Sequence, residues 1–272
     1  MTKIPWTDES WNPVTGCTKV AEGCKNCYAE SMAKRFWGKR KFTDVKCHED
    51  RLDIPFHWRK PRKVFVCSMG DLFHPKVPIG FQLGVYETIT DDRCERHTFQ
   101  ILTKRPQRML DFHQAEVVGA LPNLWLGTSI STQADADKNI PILMQIPAAV
   151  RFVSLEPMLE PIDLTRYIEE EEEWRCDGCG EFYSHFQDAT CNHCGYAERH
   201  SEYRNQLDQV IIGCESGPKR RPCVNQWIWE VVQQCDEARV PPFVKQMEIN
   251  SKVSHKPEEW PEWARRQEFP KY

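Results

Sequence analysis

Seven of the thirteen cysteines in this 272-residue chain fall into two tight groups, and their spacing points to metal chemistry. The first group is Cys17, Cys24 and Cys27, spaced C-x6-C-x2-C. Three thiolates within eleven residues can reach one metal centre, and their loop offers no fourth ligand. Two centres suit such a set. Zinc would close tetrahedrally with a fourth protein ligand, a place that Cys47 or His48 could take. A [4Fe–4S] cluster held by three cysteines leaves one iron open to a small chelating ligand.

The second group is Cys176, Cys179, Cys191 and Cys194, a paired C-x2-C with glycine after the second cysteine of each pair. Two tight turns that each present two thiolates are the knuckles of a four-cysteine zinc ribbon. A second iron–sulfur cluster or a mononuclear iron site is the alternative. Zinc here would staple an insertion too small to build its own core. The other six cysteines are scattered and read mostly as small buried hydrophobes.

The elements that must hold these groups follow a rhythm. Apolar runs recur at Val64–Cys67, Thr98–Leu102, Leu124–Gly127, Val150–Leu155, Gln209–Gly213 and Pro242–Lys245, with a shorter one near Trp11–Thr15. Near-continuous apolar runs suit parallel strands covered on both faces. Tyr28–Phe36, Phe81–Thr90, Ala134–Met144 and Asn225–Ala238 read as helices between them. The expectation is an α/β fold, a full or partial TIM-type (βα) barrel. The gap between Leu155 and Gln209 is too long for one crossover and holds the second cysteine group. The chain therefore divides into a barrel over 1–165 and 205–250, an inserted zinc-ribbon-like subdomain over 166–204, and a C-terminal tail over 251–272.

Each run ends in polar residues. They are Ser68-Met69-Gly70-Asp71, Thr103-Lys104-Arg105, Thr128-Ser129, Glu156-Pro157, Cys214-Glu215-Ser216-Gly217 and Lys245-Gln246. Loops at the C-terminal ends of barrel strands converge on one mouth, so these residues would line it. Glu156, Glu215 and Lys245 are the catalytic candidates, since carboxylates just past apolar strands are costly to bury unless paired or used. Lys104, Arg105, Lys219 and Arg220 would add positive charge suited to a phosphate-bearing substrate.

The net charge of −4 conceals two opposite regions. From Lys34 to Lys63 there are eleven Lys or Arg against four Asp or Glu; from Arg166 to Arg204 there are four against ten. The first region interleaves Phe36, Trp37, Phe42, Phe56 and Trp58, a composition able to follow a phosphate backbone and stack bases. No stretch approaches the roughly 18 uninterrupted apolar residues of a membrane span. The first residues lack an apolar leader, so a cytoplasmic chain is expected.

The segment WNPVTGCTKVAEGCKNCYAE resembles the opening of a family of phage and prophage proteins counted among the divergent radical S-adenosylmethionine (SAM) enzymes. LTKRP, LWLGTSI, FVSLEPML and VIIGCESGP resemble further segments of that family, in the same order. The likeness runs from about residue 4 to 247, outside the insertion. It departs from the commoner C-x3-C-x2-C pattern, and Asn26 stands where an aromatic residue is usual. The resemblance implies a radical SAM barrel in which SAM chelates the open iron and is cleaved to a 5′-deoxyadenosyl radical. It also implies an electron donor such as a flavodoxin or ferredoxin, and the host cytoplasm if the chain is phage-encoded. Gly70 and Asp71 would then meet the SAM amino group, Ser129 its ribose or carboxylate, and Gly213 the strand along its adenine.

By this resemblance the substrate is a nucleotide or a base in nucleic acid, with DNA foremost. Family members similar to this chain rearrange an amino-acid-modified thymine, an isomerase activity. A duplex substrate would have to release its base from the stack. The alternative is a non-catalytic zinc protein that binds nucleic acid or a protein partner. Iron in the first cysteine group separates the two.

Overall fold

The computed structural model describes residues 4–168, 207–217 and 219–271, together with the backbone of 172–176, 182–183 and 199–203. The strands are β1 (Glu9–Trp11), β2 (Val14–Thr15), β3 (Lys46–Cys47), β4 (Lys63–Val66), β5 (Thr98–Thr103), β6 (Leu124–Ser129), β7 (Val150–Leu155), β8 (Glu172–Cys176), β9 (Phe182–Tyr183), β10 (Arg199–Tyr203), β11 (Gln209–Gly213), β12 (Pro242–Ile249) and β13 (Lys252–Ser254). The helices are α1 (Tyr28–Phe36), α2 (Ile79–Thr90), α3 (Pro106–Ala115), α4 (Gln133–Leu143), α5 (Thr165–Ile168) and α6 (Asn225–Glu237).

Eight strands form the main sheet in the order β1-β4-β5-β6-β7-β11-β12-β13. The first seven run parallel, and β13 turns back antiparallel on β12. Because spatial order follows chain order, every crossover steps in one direction. Right-handed crossovers then place the helices on a single face.

The side chains confirm that division. Along β11, Val210 and Ile212 join the large core that also holds Val85 and Ile89 of α2, Met109 of α3, Ile140 of α4 and Val231 of α6. Ile211, between them, faces the other way into a smaller cluster with Trp6, Phe65, Trp125, Phe152 and Phe243. This is the period-two alternation of a strand packed on both faces.

The smaller cluster shows that the sheet curves. Phe65 on β4 and Phe152 on β7 lie three strands apart, about 14 Å in a flat sheet. Trp6 nonetheless packs on both, with ring centroids 4.6 Å and 6.2 Å away. Phe269 similarly reaches Trp125 on β6 and Phe243 on β12. The face without helices is therefore concave. Among the described residues no pairing joins β1 to β13, so the strands form an open array and not a closed ring.

The long connection between β7 and β11 contains its own antiparallel sheet, ordered β10-β8-β9. It falls where the insertion was expected, although Ile168, at its anticipated start, belongs to the main core. Cys176 ends β8, whereas Cys179, Cys191 and Cys194 lie outside the described residues. The segment expected as a C-terminal tail is built into the fold. It supplies β13, buries Trp260 and Ala264 in the large core, and sends Phe269 to the concave face. Among the described residues, no helix is long and apolar enough to cross a membrane.

Candidate active site

A cleft of about 220 Å³ opens at the C-terminal ends of the parallel strands. The loop between β2 and α1 lines it with Cys17, Cys24 and Cys27. The strand ends add Gly70 and Asp71 after β4, Lys104 and Arg105 after β5, Ser129 of β6, Glu156 after β7, Glu215 after β11 and Lys245 of β12. Residues far apart in sequence meet here because consecutive parallel strands all deliver their following loops to one edge of the sheet.

Three glycines let the cysteine loop lie against those strand ends. Gly16 has φ +95°, and a Cβ on it would stand 2.8 Å from the carbonyl oxygens of both Phe42 and Asp44. Its N–H donates to the Met69 carbonyl at 2.8 Å, joining the loop to the turn after β4. Gly70 returns the contact, since a Cβ there would fall 2.7 Å from the Val14 carbonyl oxygen. Gly23 packs on Ser131, whose Oγ lies 2.1 Å from the position a Cβ would take. Cys27 caps α1, whose small buried residues Ala29 and Ala33 let the helix lie close to the body.

A buried ion pair supports Cys17. Arg105 Nη1 donates to Asp71 Oδ2 at 2.7 Å and to Cys17 Sγ at 3.4 Å. Arg105 Nη2 donates to the Thr18 carbonyl at 2.9 Å. Asp71 Oδ1 also accepts the Thr103 hydroxyl and the Phe73 N–H. Burial opposes the Arg105 charge, but Asp71 and Cys17 outweigh it and raise its pKa. Burial pushes the Cys17 thiol up to about 11, with Asp71 adding to the effect and Arg105 opposing it. Burial likewise raises Cys27, against the N–H groups of Ala29 and Glu30. A bound metal would displace these protons. Arg105 and Asp71, expected to meet a substrate phosphate and a SAM ammonium, are instead engaged with each other and with the cysteine loop.

A second clasp holds the far side of the loop. Asn26 Nδ2 donates to Glu215 Oε2 at 2.9 Å and to the Lys219 carbonyl at 2.8 Å. Arg221 grips both oxygens of Glu215 and also donates to the Glu22 carbonyl in the cysteine loop. Burial would raise the Glu215 pKa, but bonds from Arg221 and Asn26 overcome it and hold the carboxyl below its ordinary value. Glu215, a catalytic candidate from sequence, is thus fully partnered. Lys219 is exposed, and Arg220 pairs with Glu248 at 2.7 Å; neither lines the cleft.

The remaining wall carries accessible chemistry. Lys104 Nζ donates to Ser129 Oγ, and Lys245 Nζ pairs with Glu156 Oε1. Gln246 Nε2 also donates to Glu156, at 3.3 Å. Gly213 stands beside this group: a Cβ there would touch Gln246, Glu156 and Lys245 at ordinary distance. Nothing in the sequence signals the bonds made by Asn26 and Arg221, which reach across the chain to Glu215 and to Glu22, whereas Gln246 stands at a strand end already expected at the mouth.

The basic segment expected to meet nucleic acid divides in two. Phe56 and Trp58 pack against the core, whereas Phe36 is exposed and Phe42 lines the cleft. Trp37 bridges toward Phe42 at 5.8 Å and carries Arg40 on its face.

Among the described residues, no group of three or more His, Cys, Asp or Glu side chains is arranged to hold a single metal ion. One tetrahedral zinc needs thiolates roughly 3.8 Å apart, from bonds of about 2.3 Å. Cys47 and His48, the anticipated fourth ligands, do not line the cleft, and His48 Nε2 bonds Thr15 Oγ1 at 2.8 Å. A four-iron cluster binds each cysteine to a different iron and so takes a wider spread. Cys17, Cys24 and Cys27 carry free thiols, and all three line the one cleft.

Residues 1–262 match the model of a family described as a protein of unknown function, DUF5131. The chain belongs to that family. No curated protein matches it significantly, and no solved structure does.

Proposed function

We propose that this DUF5131 chain is a radical SAM enzyme acting on a nucleotide or a nucleic-acid base. One observation carries the reading: the three thiols of the C-x6-C-x2-C loop share a single cleft at the C-terminal edge of a curved, consecutively ordered parallel sheet. Such an array is what a partial (βα) barrel of radical SAM type requires. Cys17, Cys24 and Cys27 would hold a [4Fe–4S] cluster with one iron left open to SAM. Together they would supply abstraction of a hydrogen atom from an unactivated carbon.

The chain's own residues supply position and charge. Arg105 and Asp71 fix Cys17, and Glu215 with Arg221 fixes the segment between Cys24 and Cys27. Trp6, Phe65 and Leu102 form an apolar floor that keeps water from the reacting groups. Lys104 and Lys245 bring two cations to the wall, suited to a phosphate or carboxylate on substrate or cofactor. The Lys245–Glu156 pair can hold a proton at Nζ and return it to a substrate atom. DNA carrying a modified thymine is the substrate that the sequence resemblance favours. In this reading Cys176, Cys179, Cys191 and Cys194 hold zinc that staples the insertion.

The test is release of 5′-deoxyadenosine from SAM by anaerobically purified protein with a flavodoxin or ferredoxin as reductant. Release stimulated by DNA or by mononucleotides supports the reading and selects between polymer and monomer. A colourless chain with zinc in both cysteine groups, no iron and no SAM cleavage would return it to a non-catalytic zinc protein.

A further inference from the structure

Thr18 follows Cys17 and lines the cleft, and its hydroxyl is held from two sides. His74 Nε2 lies 2.9 Å from Thr18 Oγ1, and Arg105 Nη2 donates to the same oxygen at 3.1 Å. The other ring nitrogen fixes the His74 tautomer. Its Nδ1 accepts the Lys76 N–H at 3.1 Å, so the ring proton sits on Nε2 and is donated to Thr18. His74 is only 2% exposed, and burial, joined by the Arg105 charge, lowers its pKa and favours the neutral ring.

A hydroxyl has two lone pairs and one proton. With both lone pairs of Thr18 Oγ1 taken, the oxygen has only its proton left to offer, and among the described residues no acceptor takes it. Beside it, Arg105 Nη1 already donates to Cys17 Sγ at 3.4 Å. Among the described residues, Cys17 is the one thiol of the loop that takes a hydrogen bond from a charged side chain. Asp71 and the Thr18 carbonyl hold the guanidinium in that position.

We propose that Thr18 and Arg105 form a donor pair for the sulfur atoms on the Cys17 side of the metal centre and raise its reduction potential, a role that rests on the iron–sulfur reading of the cleft. An electron added to such a centre increases the negative charge on its sulfurs. Two hydrogen-bond donors, one of them cationic, stabilise that reduced form more than the oxidised one. His74 is a positioning residue: by occupying a lone pair of Thr18 it leaves the hydroxyl as a donor toward the cleft.

The experiment loads the full chain anaerobically with iron and sulfide. It then follows reduction of the centre by electron paramagnetic resonance during a dithionite titration with redox mediators, without SAM. Thr18→Val keeps a similar side-chain shape without the hydroxyl; it should load iron and shift to a more negative potential. Thr18→Ala removes the same group by truncation and should shift the same way. Thr18→Ser retains the hydroxyl and should stay at the wild-type potential. Iron-loaded Thr18→Val and Thr18→Ala at the wild-type potential, or Thr18→Ser shifted as far as they are, would overturn the donor pair and leave the cluster reading intact. Loss of iron from both Thr18→Val and Thr18→Ala would also overturn it, assigning the hydroxyl to holding the loop. A wild type that takes up no iron would overturn the donor pair and the cluster reading together.

Discussion

Arg105 binds Asp71 through a 2.7 Å hydrogen bond while the same nitrogen reaches the thiol of Cys17. The ion pair is almost wholly buried and lies behind the first cysteine of the loop. Truncating one member leaves a buried charge without its partner, which costs about 3–5 kcal/mol. Arg105→Ala should lose stability on that scale in urea denaturation. Arg105→Lys should recover only part, because an ammonium cannot span Asp71 and Thr18 together. The combined Asp71→Asn, Arg105→Gln variant should cost less than the two single changes added. A loss below about 1 kcal/mol for Arg105→Ala, typical of an exposed pair, would contradict this role.

Glu215 ties acid stability to the same loop. Its carboxyl is held below the ordinary 4.5 in the folded chain. The unfolded chain therefore binds the proton more readily. The stabilisation is fully present above about 4.5 and fades as pH falls through the lower folded value. Urea unfolding of wild type and Glu215→Gln from pH 7 to pH 3 should show a wild-type advantage that shrinks only on the acid side. An advantage independent of pH would assign the effect to packing.

Gly23 is a steric requirement. A Cβ there would overlap Ser131 Oγ, and Ser131 has a buried environment that resists movement. Gly23→Ala should destabilise by about 1–3 kcal/mol, the usual cost of overpacking. Adding Ser131→Gly removes both side-chain atoms in the way and should restore much of the loss. A thermal melt of the single and double variants decides it; no rescue would mean that the loop backbone, not Ser131, is the obstacle.

Much of the sheet could be read from the sequence because its strands are buried on both faces and announce themselves as apolar runs. Val150–Leu155 and Gln209–Gly213 appear as expected. Helix α3 was not anticipated: it opens on Pro106 directly after Lys104 and Arg105, and those polar residues read as a loop. The convergence of Cys17, Lys104, Glu156 and Lys245 followed from parallel topology alone. What sequence could not convey was pairing. Arg105 and Glu215 looked like free functional charges because their partners, Asp71 at one site and Asn26 with Arg221 at the other, are chosen by the fold. Sheet closure was equally hidden, since open and closed arrays share one strand rhythm.

The central claim is that Cys17, Cys24 and Cys27 hold an open iron–sulfur cluster apart from the second cysteine group. Iron and zinc analysis of anaerobically purified wild type beside Cys24→Ala and Cys191→Ala tests it most directly. A brown wild type with about four irons per chain is expected. Cys24→Ala should lose iron alone and Cys191→Ala zinc alone. An iron-free wild type, or loss of both metals in either variant, would contradict it.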